Sequence, residues 1–313
     1  MSDRRLFQVL VGGALALAAA GPPLRRRAAR HLPGPLADAL VGGALAGVGW
    51  AAIAAAERVR PFRPEWAPRP QDVSVDLSYL AVSSPLQGAV SAALIEALVP
   101  DRRHDGRASS LLRAQPLVVQ AALAIVVSEA VHYAHHRAAH TYEPLWRFHA
   151  IHHSPDRMYW MNAVRFHPVD IFPVVTAQVA LVRLLPFDPD AVLMFNIFKG
   201  IHGQLQHANV DLDAGAWDLV LSSPAQHRWH HAPTAREDQV NYGSVLSLFD
   251  RMFGTQRVTP TTAFTGAIGP GPSAGSIPTG IVAQMLRPFT QDRGRQPAEA
   301  AQVQAPAAVV RRG

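Results

Sequence analysis

Four apolar runs, at residues 6–21, 36–56, 77–99 and 116–133, restrict what this chain of 313 residues can fold into. Each approaches the ~20 residues that carry a helix across a bilayer. The links between them hold arginine and proline, as in Arg25-Arg26-Arg27 and residues 58–70. Buried core helices of a water-soluble protein are the alternative, but the number of runs, their near lack of charge and their arginine-rich flanks favour membrane helices. The first run also resembles a secretory signal peptide, because residues 1–5 lead into a short apolar stretch that ends in Leu17-Ala18-Ala19-Ala20. With further membrane runs behind it, a retained helix is the expectation. Composition agrees: 49% hydrophobic residues, 17% charged residues and a mean hydropathy of +0.06 are too apolar for a disordered chain and low in charge for a typical soluble domain.

Two more apolar stretches, 169–187 and 191–201, meet at Pro186-Phe187-Asp188-Pro189, a turn in which proline ends one helix and starts the next. They are expected to form a hairpin that enters the membrane and returns, its second arm short enough for a re-entrant or interfacial element. From Thr261 onward Gly, Pro, Ala, Ser and Thr dominate, and residues 291–313 carry no apolar period, so a disordered tail is expected. No internal repeat of fixed period occurs. The expected architecture is all-α: an integral-membrane helical bundle of about four spanning helices plus a membrane hairpin, with a histidine-rich helical cap on one face. Its expected divisions are residues 1–75, the N-terminal membrane helices and an Arg/Pro-rich link; 76–258, the histidine-bearing region; and 259–313, the tail.

Charge does not orient the bundle. The links after the first three runs each carry four arginines (25, 26, 27 and 30; 58, 60, 63 and 69; 102, 103, 107 and 113), so the positive-inside rule finds no asymmetry. A hairpin does return the chain to the side it left, which puts residues 136–167 and 207–231 on one face. The net charge of +6 is almost all arginine, Lys199 being the only lysine. The arginines flank apolar runs and form no stripe interleaved with aromatics, which argues for membrane-edge anchors and against nucleic acid.

The absence of cysteine excludes disulfide frameworks, iron–sulfur clusters and thiolate metal sites, so any metal must be held by nitrogen or oxygen. Of 15 histidines, 13 fall between His132 and His231. His136 and His140 are i and i+4 on a helix, close enough to share a metal. His149, His152 and His153 occupy i, i+3 and i+4 and are expected on one face; His227, His230 and His231 repeat that spacing, and His207 ends the second arm of the hairpin. These nine imidazoles exceed the three or four that one tetrahedral ion takes, which favours two ions close together. Sulfur-free nitrogen ligation suits Fe, Zn, Cu or Ni rather than Mg or Ca.

In these residues the chain resembles the fatty acid hydroxylase/sterol desaturase superfamily of membrane di-iron oxygenases. The likeness covers roughly residues 76–255 and rests on a His-x3-His and two His-x2-His-His motifs, at His136/His140, His149/His152/His153 and His227/His230/His231. Supporting context is Trp146-Arg147-Phe148-His149, Arg165-Phe166-His167-Pro168, His207-Ala208-Asn209 and the closing Asn241-Tyr242-Gly243 and Phe249-Asp250-Arg251-Met252-Phe253-Gly254-Thr255. The chain departs from the family where Glu129 replaces a frequent Asp and Tyr133-Ala134-His135 stands for an aromatic pair.

The resemblance implies that residues 76–258 are the catalytic domain, that the nine imidazoles hold two irons as an Fe–O–Fe type centre, and that O2 is the co-substrate. Zinc would satisfy the same nitrogens. The implied reaction is hydroxylation or desaturation of a C–H bond in a lipid, whether sterol, fatty acyl or related. Electrons would come from an external ferredoxin or cytochrome b5-like carrier with its reductase, since no haem, flavin or nicotinamide motif occurs. The expected location is the inner (cytoplasmic) membrane, with the histidine face cytoplasmic. His132, His167, His202, Glu129, Asn209 and Asp238 are expected as further ligands or as partners that orient the ligands, and His135 as a bystander. Trp146, Trp160 and Trp229 are expected at the membrane interface, Arg147, Arg157, Arg165 and Arg228 as solvated interface residues, and Tyr242 and Asp250 as fasteners of the closing segment. Two rival functions use the same histidines. A membrane di-zinc hydrolase is disfavoured because Glu129 and Glu143 lie outside the His pairs, and a non-catalytic metal transporter because the histidines sit at helix ends.

Overall fold

The computed structural model describes residues 2–99, 111–233, 239–258, 264–271 and 274–290, so Asp238 and residues 291–313 lie outside the described residues. Four helices are long and apolar enough to cross a membrane: α1 (Asp3–Ala28), α2 (Gly34–Val59), α3 (Pro70–Leu98) and α4 (Leu117–Thr141). Their outward faces carry Val9, Leu15, Leu40, Val48, Leu86, Val90, Val118 and Leu123, all exposed, which is the pattern of helices solvated by lipid. Proline at the helix starts Gly34–Val59, Pro70–Ser78, Pro168–Leu184 and Pro189–His207 presets φ where no N–H partner is needed. Among the described residues there are no strands, only the isolated bridges Pro61 to Val210 and Leu221 to Leu246.

The expected hairpin arms exist as α6 (Pro168–Leu184) and α7 (Pro189–His207), with a short helix α5 (Glu143–His149) before them. The arms do not run against each other as a closed pair. Both lie on α4, α6 takes α3 as its other neighbour, and α7 becomes the central helix, enclosed by α1, α2 and α4. The reason lies in its composition. Twelve of its residues are buried, and Leu193, Phe195, Ile197, Phe198, Ile201 and Leu205 give it apolar faces in more than one direction. Two glycines let its neighbours approach: a Cβ on Gly21 would stand 2.8 Å from Ile197, and one on Gly49 would stand 2.6 Å from Ile201. Thus α1 and α2 share one core with α7, and the expected boundary at residue 75 falls inside α3.

Short helices α8 (Pro224–His230) and α9 (Leu248–Met252) complete the cap. Part of the expected disordered tail is ordered: α10 (Ile281–Thr290) packs with Ile277 against Tyr79 and Ile151, and Gln284 accepts a hydrogen bond from Tyr79 Oη at 3.0 Å. A Gly/Pro-rich composition masked one amphipathic helix of nearly three turns whose polar residues Gln284 and Arg287 face inward while Val282, Leu286 and Phe289 are exposed.

Candidate metal centre

The nine imidazoles converge on one end of the bundle and divide into two groups, His136/His140/His149/His153/His230 and His152/His207/His227/His231. Within each group one ring nitrogen per residue lies within 4.8 Å of all the others. Ions binding nitrogen at ~2.0–2.1 Å require ligand atoms at most ~4.2 Å apart, so each group needs only a small contraction to surround one ion. The groups share a wall. His153 stacks on His231 with ring centroids 4.2 Å apart, and His230 stacks on His227 at 5.2 Å.

The division corrects the expectation that each triplet shares a face. Neighbouring residues on a helix point about 100° apart. The i and i+4 members of each triplet therefore stay together while the i+3 member turns to the other group: His149 and His153 join the first group and His152 the second, whereas His227 and His231 join the second and His230 the first. The two triplets exchange one ring each, which ties the two sites into one unit.

In the first group the outer ring nitrogens are fixed by acceptors. His136 Nδ1 donates to Tyr242 O (2.7 Å), His149 Nδ1 to Asp170 Oδ2 (2.8 Å) and His230 Nδ1 to Val240 O (2.9 Å). An oxygen acceptor at Nδ1 places the proton there and leaves Nε2 a lone pair aimed inward. The Nε2 atoms of His136, His149 and His230, and both ring nitrogens of His153, are buried without a hydrogen-bond partner. Buried polar atoms are rarely left so, and a metal ion would answer one nitrogen on each of these four rings. In the second group His207 Nδ1 donates to Asn162 Oδ1 (2.7 Å), and the Nε2 atoms of His207, His227 and His231 face one another at 2.9 and 3.1 Å. Burial, reinforced by neighbouring imidazoles, pushes His152, His153, His230 and His231 well below the ordinary histidine value and His227 down to about 3. Neutral imidazoles are the form that binds metal. Both histidine groups can bind metal, and the donor set fits iron and zinc alike.

The auxiliary residues are placed differently from expectation. Asp170, which sequence reasoning missed, takes His135 Nε2 on Oδ1 (3.0 Å) and His149 on Oδ2; its only signal was a carboxylate in the first turn after His167-Pro168. Asn162, also missed, is the partner of His207, whereas Asn209 is engaged by the backbone of Arg63 at 2.8 and 3.0 Å. Glu129 touches no imidazole and accepts from Ser244 N, Ser244 Oγ and Val245 N. It thereby holds the loop whose Tyr242 carbonyl holds His136. Asp250 accepts from Tyr242 N and Gly243 N, as expected of a fastener. Between the two carbonyl acceptors sits Asn241, at φ 55, its side chain bonded to Gln226 O, Arg257 O and Arg257 N.

His167 caps α6 and reaches Met285 O, and His202 reaches Ser222 O; neither joins a group. Arg165 is buried against Asp76, and Arg228 is fully buried with its guanidinium 3.9 Å from the Phe62 ring, so neither is a solvated interface residue. A cavity of roughly 190 Å³ is lined by His136, His152, His207 and His227 from the two groups, by the apolar Phe166, Ile171, Val174 and Val175, and by His132 and Lys199.

The sequence model of the fatty acid hydroxylase family matches residues 121–255. An ornithine lipid hydroxylase (OlsE) from Rhizobium tropici is 32% identical over 254 residues, which cover 79% of this chain and 74% of that protein. Alkylglycerol monooxygenases from Danio rerio and Homo sapiens are 32% and 30% identical over 125 residues, 40% of this chain and 27% of each of those proteins. No solved structure matches.

Proposed function

Because the chain belongs to the fatty acid hydroxylase family, we propose that it is an integral-membrane di-iron enzyme that uses O2 to hydroxylate a C–H bond of a membrane lipid. The observation that carries this reading is a cavity lined both by imidazoles of the two groups and by apolar side chains. Such a site offers metal chemistry to an apolar group, and excludes the water that would quench it. An ornithine lipid is the first candidate substrate and an alkylglycerol the second, since the ornithine lipid hydroxylase matches over most of both chains and the monooxygenases over a quarter of theirs.

One iron would be held by His136, His140, His149, His153 and His230 and the other by His152, His207, His227 and His231. When bound, iron supplies the reductive activation of O2 and the removal of hydrogen from an unactivated carbon. The chain's own contribution is to hold its imidazoles in one tautomer through Tyr242 O, Asp170, Val240 O and Asn162, and to pack Phe166, Ile171, Val174 and Val175 against the lipid. Inserting one oxygen atom and reducing the other to water consumes two electrons and two protons, which an external ferredoxin or cytochrome b5-like carrier with its reductase would provide. The net charge of +6 suits an acidic carrier, and a carrier in the cytoplasm would require the histidine face on the cytoplasmic side of the inner membrane.

Metal analysis of protein from aerobic, iron-replete cells should find two irons per chain, and lipids from cells with the gene should contain a species heavier by one oxygen derived from labelled O2. Two zincs without iron would favour the hydrolase. A product lighter by two hydrogens would mean desaturation. Unaltered lipids together with metal flux abolished by His152→Ala or His230→Ala would mean a transporter.

A further inference from the structure

Lys199 is the only lysine in the chain, and it lines the cavity that borders both imidazole groups. Its Nζ donates to Ser128 Oγ at 3.1 Å, and the Phe195 ring lies 5.7 Å away. It forms no ion pair with a described carboxylate. The charge of Glu129 acts on it from nearby, but among the described residues no hydrogen bond or ion pair joins the two, and Glu129 accepts instead from Ser244 and Val245. Ser128 Oγ in turn also accepts from Gln178 Nε2 at 2.8 Å, so one neutral oxygen is shared between two donors. An ammonium carries three donors, and at least two of those on Lys199 have no described protein acceptor. Keeping a cation in a half-buried, largely apolar setting is unfavourable unless a counter-charge arrives. One turn along α7, Gly203 also lines the cavity, and a Cβ there would meet nothing within 4 Å, so the cavity is open at that point of the helix.

The cavity, at roughly 190 Å³, is smaller than the ~300–1,000 Å³ of sites that enclose a whole ligand, so only one end of a lipid enters it. On the reading that this site oxidises a lipid, we propose that Lys199 pairs with an oxyanion, a carboxylate or a phosphate, on the polar end of the substrate. It thereby selects lipids that carry their negative charge close to the carbon attacked.

The test is equilibrium binding to the metal-loaded protein in nanodiscs, which needs no turnover. Three probes are used: an N-acyl amino acid with a free carboxylate, its methyl ester, and phosphatidic acid. The carboxylate lipid is expected to bind about tenfold or more tightly than its ester. Lys199→Met should remove that difference while moving the affinity for the ester less than twofold, and Lys199→Arg should restore most of it. If phosphatidic acid alone shows the Lys199-dependent gain, the oxyanion is a phosphate. Equal binding of acid and ester by the unaltered protein would overturn the proposal. So would a preference that survives Lys199→Met, or a Lys199→Met protein that loses only thermal stability, because the lysine would then be a structural partner of Glu129. A protein that binds the anionic lipid through Lys199 yet never oxidises any lipid would sink the hydroxylase reading and leave this one standing.

Discussion

The two imidazole groups lie side by side but are built differently. In the first, three rings are held from outside by Tyr242 O, Asp170 and Val240 O, and their inner nitrogens are left free to converge. In the second, among the described residues only His207 has an outer acceptor, Asn162, and three inner nitrogens lean on one another. The first has five donors and a carboxylate behind one of them, whereas the second has four donors and, among the described residues, no carboxylate bonded to any ring. A preorganised group of five keeps its geometry, and most of its affinity, when one donor is lost; a group of four with a single outer acceptor does not.

Ligand removal gives the largest separation. His227→Ala should lower the metal content from two ions per chain to one, while His153→Ala should keep nearly two with weakened affinity. Both should reduce lipid oxidation more than about a hundredfold, beyond the 10–100-fold typical for losing an outer partner. Equal metal loss in the two variants would break the comparison.

Outer partners come next. Asp170→Asn should weaken retention of one ion by about tenfold in chelator competition, and Asn162→Ala should weaken the other by a similar factor, because each acts through a different ring. If both variants release the same ion, the two groups are not separate sites.

A smaller effect is expected at Glu129, which supports the first group only through the closing loop. Glu129→Gln keeps one acceptor where three donors converge and should cost about 1–3 kcal/mol of stability, with release of the first group's ion at lower temperature.

The smallest effect concerns a carboxylate that serves neither group. Asp218 is buried beside α8, and burial pushes it up to about 6. Its folded value lies above the unfolded one of ~3.9, so its contribution is full below pH ~4 and is lost as the pH rises through about 6. Asp218→Asn should therefore raise the melting temperature at pH 8 by a few degrees, about 2–4 °C per kcal/mol, and change nothing at pH 4.

Much of this was legible in the sequence. The four spans follow from run length and composition, and the nine clustered imidazoles follow from motif spacing. Spacing alone did not show the exchange of His152 and His230 between groups. A helical wheel reports which residues are neighbours, but the ion each ring serves depends on how α4, α5, α7 and α8 pack. Asp170 and Asn162 were hidden for a related reason: an outer partner needs only one oxygen in the right place, and many residues can supply it. Asn209, with the same chemistry, went to Arg63 instead. The central role of α7 was obscured by Asp190, Lys199 and His202, polar residues that a lipid-facing helix would not carry and a protein-enclosed helix can.

The use of backbone carbonyls at positions 240 and 242 has a genetic consequence. A codon change at either position replaces a side chain and leaves the acceptor oxygen in place, so neither outer contact can be deleted by a missense mutation in the way Asp170 can. What inheritance can damage is the residue between them. Asn241 adopts a left-handed backbone that asparagine tolerates and β-branched residues resist. For these two carbonyl contacts the mutational weak point is thus a neutral residue with no described hydrogen bond to an imidazole.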